Sequence, residues 1–423
     1  MEIHPSGGRH VSPPSTTAAA ADEDPMHAWW ESISKARSRI QTLTELLPGR
    51  HRSTVASLAD TDRPALSLLL SPAAYSAVAS SLVLSPSSGS GSDPLCHWLY
   101  DTFLLLPSDP HLPLVTLSFL PLLSGLYLLR LHRSPSGPSL AGFEAVLLAV
   151  YSTEVKSRGG KPNLVEIPDL SNPSLYHSPR VPNPHNDGKV AGTELGVLSR
   201  PLEPQNAVKA TKRANIVGTA LEVYYKGISQ MPPWSKVDFC RFAAAWAGQE
   251  CSCRKELDPE DCDDNGGEVE CVEGFGDGIE NGGEIVVVSN GIAKLDLEDG
   301  CCDEVEEKEI DGVEMELKKG GRISLPWELL QPTLRILGHC LLAPLNPQEV
   351  KDAASVAVRN LYARASHDLV PQAILATRSL IQLDNRAREA AKEAKAAAEA
   401  TNATSNVNTP SKSKKPEILL ASK

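Results

Sequence analysis

The stretch Leu112–Leu129, LPLVTLSFLPLLSGLYLL, decides what kind of protein this chain makes. Eighteen residues pass without a charge, the lower edge of what spans a bilayer as a helix. Two features point to a buried core helix instead. Pro113 and Pro121 remove backbone donors and are tolerated in the first turn of a helix but not in its interior, so they interrupt the run. The flanking segments carry apolar stripes that need an apolar partner, and this run supplies it.

Working outward, the same helical period recurs. Asp24-Pro25 offers a cap followed by a proline suited to the first helical position. Trp29, Ile33, Ala36, Ile40, Leu43 and Leu47 then repeat at spacings of three and four until Pro48-Gly49. Asp93-Pro94 repeats the start signal ahead of Leu95, Trp98, Leu99, Phe103 and Leu106. Further helices are predicted over 64–84, 111–131, 138–156, 207–230 and from Pro233 through Trp246. The period resumes at Ile323 with Leu325, Leu329, Leu330, Leu334, Leu337 and Leu341. It continues over Pro347–His367 and, from Pro371, through Ile374, Leu375, Leu380, Ile381 and Leu383. Residues 386–400 (RAREAAKEAKAAAEA) favour helix but lack an apolar stripe, which predicts a solvated extension. Residues 85–93 (SPSSGSGSD) read as a flexible link.

The 423 residues carry a net charge of −12, but the charge is unevenly placed. Residues 256–316 hold 23 acidic side chains against Lys294 and Lys308, a local −21, which leaves the remainder at +9. An acidic, Gly-rich segment of this kind buries too little apolar surface to offset its ordering entropy. Within it, only Ile285–Val288 reads as a possible short strand. The fold class is therefore all-α: an irregular multi-helix body with a long disordered acidic insertion and disordered termini. Its expected divisions are 1–24, a helical part over 25–247 with a Pro-rich segment at 162–206, the insert 248–321, a second helical part over 322–385 and a tail over 386–423. The helical parts are expected to pack as one unit. Residues 1–25 show no apolar leader, Met1 is not followed by glycine, and the chain ends Ala421-Ser422-Lys423. The expectation is a cytosolic protein with reduced thiols and no lipid anchor of its own.

One apolar segment cannot be helical. Pro162–Pro179, PNLVEIPDLSNPSLYHSP, carries four prolines, each of which pushes the preceding residue toward extended geometry. Leu164, Ile167, Leu170, Leu175 and Tyr176 keep it apolar. Pro168 and Pro173 hold it extended, so Ile167, Leu170, Leu175 and Tyr176 are expected to be buried, against the body or under a partner. The alternative is a plain Pro-rich connector.

A search for chemistry gives little. No phosphate-binding glycine loop, nucleophile elbow or HExxH motif is present, and the histidines are scattered. Cys251, Cys253, Cys262, Cys271, Cys301 and Cys302 form CxC and CC pairs rather than the CxxC knuckles zinc favours, with no histidine nearby. They leave open a metal-binding regulator or an orphan enzyme as a rival reading, beside a generic helical adaptor. Neither catalytic residues, metal nor cofactor are expected.

Three blocks resemble the hyccin family. The first runs from GFEAVLLAVYSTEV (Gly142–Val155) into IPDLSNPSLYH, where Ile167, Pro168, Leu170, Pro173, Ser174, Tyr176 and His177 carry the likeness. The second is RANIVGTALEVYYKGISQMP (Arg213–Pro232). The third runs from GRISLPWELLQPTLRILGHCLLAP to AVRNLYARASHDLVPQAILATRSL within Gly321–Leu380. The acidic segment falls between the second and third. The resemblance implies an all-helical, non-catalytic subunit of a plasma-membrane phosphatidylinositol 4-kinase alpha complex. Such a subunit binds and stabilises a tetratricopeptide-repeat scaffold, while a separate lipid-modified protein anchors the assembly. It would thereby support phosphatidylinositol 4-phosphate synthesis at the cytoplasmic face of the plasma membrane.

Overall fold

A computed structural model describes residues 25–105, 109–134, 137–167, 194–248 and 322–404. The helices run α1 (Pro25–Leu46), α2 (Gly49–Ala56), α3 (Pro64–Leu69), α4 (Pro72–Leu84), α5 (Pro94–Leu104), α6 (Leu112–Ser118), α7 (Leu120–Arg133) and α8 (Ala141–Arg158). Strands β1 (Asn163–Ile167) and β2 (Glu194–Ser199) follow, then α9 (Arg213–Lys226), α10 (Pro233–Ala247), α11 (Trp327–Leu342), α12 (Gln348–His367) and α13 (Pro371–Thr404). The all-α class holds, with one antiparallel two-stranded sheet added to it among the described residues.

The deciding stretch is core. Leu112–Arg133 has the length and apolarity of a membrane span, yet 94% of its 18 most apolar consecutive residues, of mean hydropathy 1.9, is buried inside the body. It breaks at Phe119 into α6 and α7, so that Pro113 and Pro121 each fall in a first turn, where no donor is missed. Around it, one continuous cluster of buried apolar side chains runs from Ile40 to Ile381 and joins helices on both sides of the acidic insert. Polar ties cross this core: Tyr75 on α4 donates to Asp238 on α10 (2.7 Å), and Ser235 on α10 donates to the Ser118 carbonyl at the end of α6 (2.6 Å).

Three local expectations need correction. Trp29 does not share the buried stripe of α1; it is 48% exposed, whereas Ile33, Ala36, Ile40, Leu43 and Leu47 are buried. Trp29 lies one turn before Ile33, at the start of α1, where every residue from Met26 to Glu31 is exposed. Leu375 and Leu383 on α13 likewise face outward, because only one side of that helix meets the body and Ala373, Thr377 and Ile381 take it. The link at 85–93 is tied down rather than flexible. Asp93 Oδ1 accepts from Leu95 N (2.9 Å) to cap α5 while its Oδ2 accepts from Gly89 N (2.8 Å). The Gly89 carbonyl in turn accepts from Gly142 N at the start of α8 (2.8 Å). Gly89 has φ +82°, and a side chain there would enter the Phe143 ring at 2.5 Å, so glycine is required on both counts.

The flanks of the acidic insert meet. Ile323 N donates to the Trp246 carbonyl (3.3 Å), and Arg364 on α12 donates to the carbonyls of Ile323 (2.8 Å) and Trp246 (3.4 Å). The described residues on either side of the insert, up to Gly248 and from Arg322, thus lie side by side. The acidic insert itself, its cysteines and the strand expected at Ile285–Val288 lie outside the described residues. Deleting residues 256–316 is expected to leave folding intact. The shortened connection should even stabilise the body by about 1.5 kcal/mol, because loop-closure entropy grows with the logarithm of length. Thermal denaturation checks this, and a loss of cooperative unfolding would contradict it.

Candidate functional site

The least usual surface is the β1–β2 hairpin. Its register pairs Leu164 with Val197, Val165 with Gly196, and Glu166 with Leu195, with an irregularity between Asn163 and Leu164. Side chains alternate across a strand, so Leu164, Leu195 and Val197 share one face while Val165 and Ile167 share the other. On the second face Ile167 and Val165 lean over Gly196, whose missing side chain leaves them room. All five are substantially exposed: Leu164 48%, Val165 44%, Ile167 42%, Leu195 59% and Val197 62%. A two-stranded ribbon is marginally stable by itself in water, and five half-exposed large apolar side chains on one is the composition of a contact surface.

Internal burial is therefore not what the structure shows for Ile167; the ribbon stands off the body, and its apolar side chains face outward. Pro168, Leu170, Pro173, Leu175 and Tyr176 lie outside the described residues. Leu195 and Val197 were missed in the sequence, although ELGVLS carries a two-residue alternation within a stretch that otherwise reads as loop.

A buried charge cluster holds the base of the ribbon. Arg158, the last residue of α8, donates from Nε to Glu154 Oε1 (2.5 Å), from Nη2 to Glu222 Oε2 on α9 (2.7 Å) and from Nη1 to Ser199 Oγ at the end of β2 (2.5 Å). Lys226 on α9 closes the cluster on Glu154. The Arg158, Glu154 and Glu222 side chains are each only 7–8% exposed. Gln331 on α11 donates to the Leu198 carbonyl (3.1 Å), and past β2 the chain is pinned by buried Leu202 and by Tyr151, which donates to the Glu203 carbonyl (2.7 Å).

Burial opposes the charge of Glu154, but the hydrogen bonds from Lys226 and Arg158 outweigh it and hold the carboxyl below its ordinary value of 4.5. Such a carboxylate contributes stability that is complete above its unfolded value and is lost as pH falls through its lower folded value. The melting temperature is thus expected to fall as pH drops below 4.5, and Glu154→Gln should flatten that part of the profile. An unchanged slope in the variant would contradict the assignment.

Two open clefts also lie among the described residues. One, of about 550 Å³ between α5 and α8, contains Cys96, His97, Tyr100 and Lys156. Burial, then the charge of Asp93, pushes the Cys96 thiol far up, which leaves it no nucleophile. The other, of about 530 Å³, lies between α7 and the starts of α9 and α11, with Arg213 and His132 among apolar side chains. Arg213 is engaged there, donating to Tyr127 Oη (3.0 Å). Cys96, Cys240 and Cys340 are buried free thiols. Among the described residues no group of three or more His, Cys, Asp or Glu side chains is placed to hold a metal ion. The cysteines at 251–302 fall outside them.

The chain thus combines a helical body with one continuous core, an apolar ribbon tied to it by a charge cluster, and blocks of sequence on both sides of an acidic insert. A family model described as hyccin matches residues 59–419, which takes in every helix from α3 onward and the ribbon. That match covers well over half of the sequence, and the chain belongs to the hyccin family.

Proposed function

We propose that this chain is a non-enzymatic scaffold subunit of a plasma-membrane phosphatidylinositol 4-kinase complex. Family membership supports association with such a complex in general. In this reading it binds the tetratricopeptide-repeat subunit and stabilises it alongside phosphatidylinositol 4-kinase alpha. A separate protein anchors the assembly, so the chain moves between cytosol and the cytoplasmic face of the plasma membrane with its partners, supporting phosphatidylinositol 4-phosphate synthesis and kinase localisation.

The observation that carries the reading is the exposed ribbon. Covering the exposed halves of Leu164, Leu195 and Val197 supplies about 3 kcal/mol, since full burial of such a side chain supplies about 1.5–3 kcal/mol. That is about two orders of magnitude in affinity, enough to matter within a larger interface and well suited to the apolar grooves between stacked helical repeats. Leu170 and Tyr176, which follow Ile167 in the sequence, are proposed to belong to the same contact with Pro168, Pro173 and Leu175.

Purification of the tagged chain from cells tests the reading. The expected result is recovery of a lipid kinase and a helical-repeat subunit with the parent chain, and a reduced yield of both with Leu195→Ser and Val197→Ser combined. Recovery of neither with the parent chain would overturn it.

A further inference from the structure

The ribbon is joined to the body through a hinge and a latch that meet at one residue. Immediately after Arg158 come Gly159 (φ +54°) and Gly160 (φ +76°), and a side chain at either would meet no atom within 4 Å. Only the turn's backbone, closed by Lys161 N donating to the Arg158 carbonyl (3.0 Å), leads from α8 into β1. Two residues in the left-handed region with open space around them make a joint that packing does not hold. The returning strand ends at Ser199, whose hydroxyl accepts from Arg158 itself. One guanidinium therefore stands at the root of β1 through the chain and at the root of β2 through a hydrogen bond, with Gln331 to the Leu198 carbonyl as the second tie.

The cluster is more elaborate than stability alone asks for. A buried ionic group gains little over apolar side chains of the same volume, and its attested use is to fix one arrangement among several. Here Glu154 and Glu222 hold the guanidinium plane from two helices, which leaves Nη1 aimed at β2.

We infer that Arg158 is the positioning residue of the docking ribbon: with Ser199 and Gln331 it locks the Gly159–Gly160 joint and sets the angle at which Leu164, Leu195 and Val197 meet the partner. This rests on the docking reading above. A ribbon freed at the latch would still form but would have to be ordered on binding, and that ordering cost appears as lost affinity.

The test leaves the ion cluster intact and opens only the latch. In the full chain, Ser199→Ala combined with Gln331→Ala is expected to raise the Kd for the purified tetratricopeptide-repeat subunit about tenfold, equivalent to about 1.4 kcal/mol. Amide exchange over residues 163–167 and 194–199 should accelerate while the melting temperature of the body stays at the parent value. Ser199→Thr with Gln331 unchanged, which keeps the hydroxyl, should retain parent affinity and exchange. If the latch variant binds like the parent while Leu195→Ser with Val197→Ser binds weakly, the ribbon docks but Arg158 does not position it, and the inference falls. If the Leu195→Ser and Val197→Ser chain also binds like the parent, the docking reading falls and takes the inference with it.

Discussion

Gly218→Ala is expected to lower the stability of the body by about 1–2 kcal/mol. A methyl group on Gly218 in α9 would lie 2.1 Å from the carbonyl oxygen of Glu328 in the first turn of α11. The obstacle is backbone, so no rotamer relieves it, and α9 and α11 must separate by about an ångström. Overpacking of this kind costs about 1–3 kcal/mol and occasionally more, while alanine returns only about 1 kcal/mol in helix propensity. Moreover, the seam between α9 and α11 joins the sequence before the acidic insert to the sequence after it, so the strain falls on the junction of the two parts. Gly338, within α11, is the internal control. A methyl there would meet Leu380 Cδ2 at 3.5 Å, an ordinary contact. Gly338→Ala should therefore stabilise by up to about 1 kcal/mol. Chemical denaturation of both variants distinguishes packing from propensity: two changes of the same sign would refute the close approach.

Arg158→Met should cost about 3 kcal/mol, because removing one partner strands the other. Glu222, 8% exposed, would keep its charge with no guanidinium to answer it, whereas Glu154 would retain Lys226. Breaking a buried pair by removing one side costs about 3–5 kcal/mol, and the solvent-reaching Lys226 argues for the low end. Adding Glu222→Leu to the variant removes the stranded charge and is expected to recover most of the loss. A double-mutant cycle measured by denaturation reads this directly; additive penalties from the two substitutions would mean that Arg158 and Glu222 do not interact.

The helices were legible because their signal is local. Ile33, Ala36, Ile40 and Leu43 lie within one helix with Leu47 just past its end, and each is buried as their spacing requires. The same holds for Val350, Ala354, Ala357, Leu361 and Ala365 on α12. Proline placement also spoke plainly, since Pro113 and Pro121 divide an apolar run into two core helices. The ribbon was half legible. The described start of Pro162–Pro179, up to Ile167, holds strand β1 and no helix, and the remainder lies outside the described residues. However, β2 spans six residues and pairs across a separation of 27 to 36 positions, with only Leu195 and Val197 alternating. Nothing in either segment alone says which face is covered, so the outward orientation of Ile167 was beyond reach. The charge cluster was invisible for the same reason. Arg158 meets Glu222 64 residues away and Ser199 41 residues away, and only the fold sets these distances.

The central claim is that the outward face of the ribbon docks a helical-repeat partner. Titrating the purified tetratricopeptide-repeat subunit with the full chain, and with the Leu195→Ser and Val197→Ser chain, tests it most directly. The account predicts saturable binding by the parent and a Kd at least tenfold higher for the variant at an unchanged melting temperature, the loss set by apolar area removed from the contact. Equal Kd values for the two chains would contradict it.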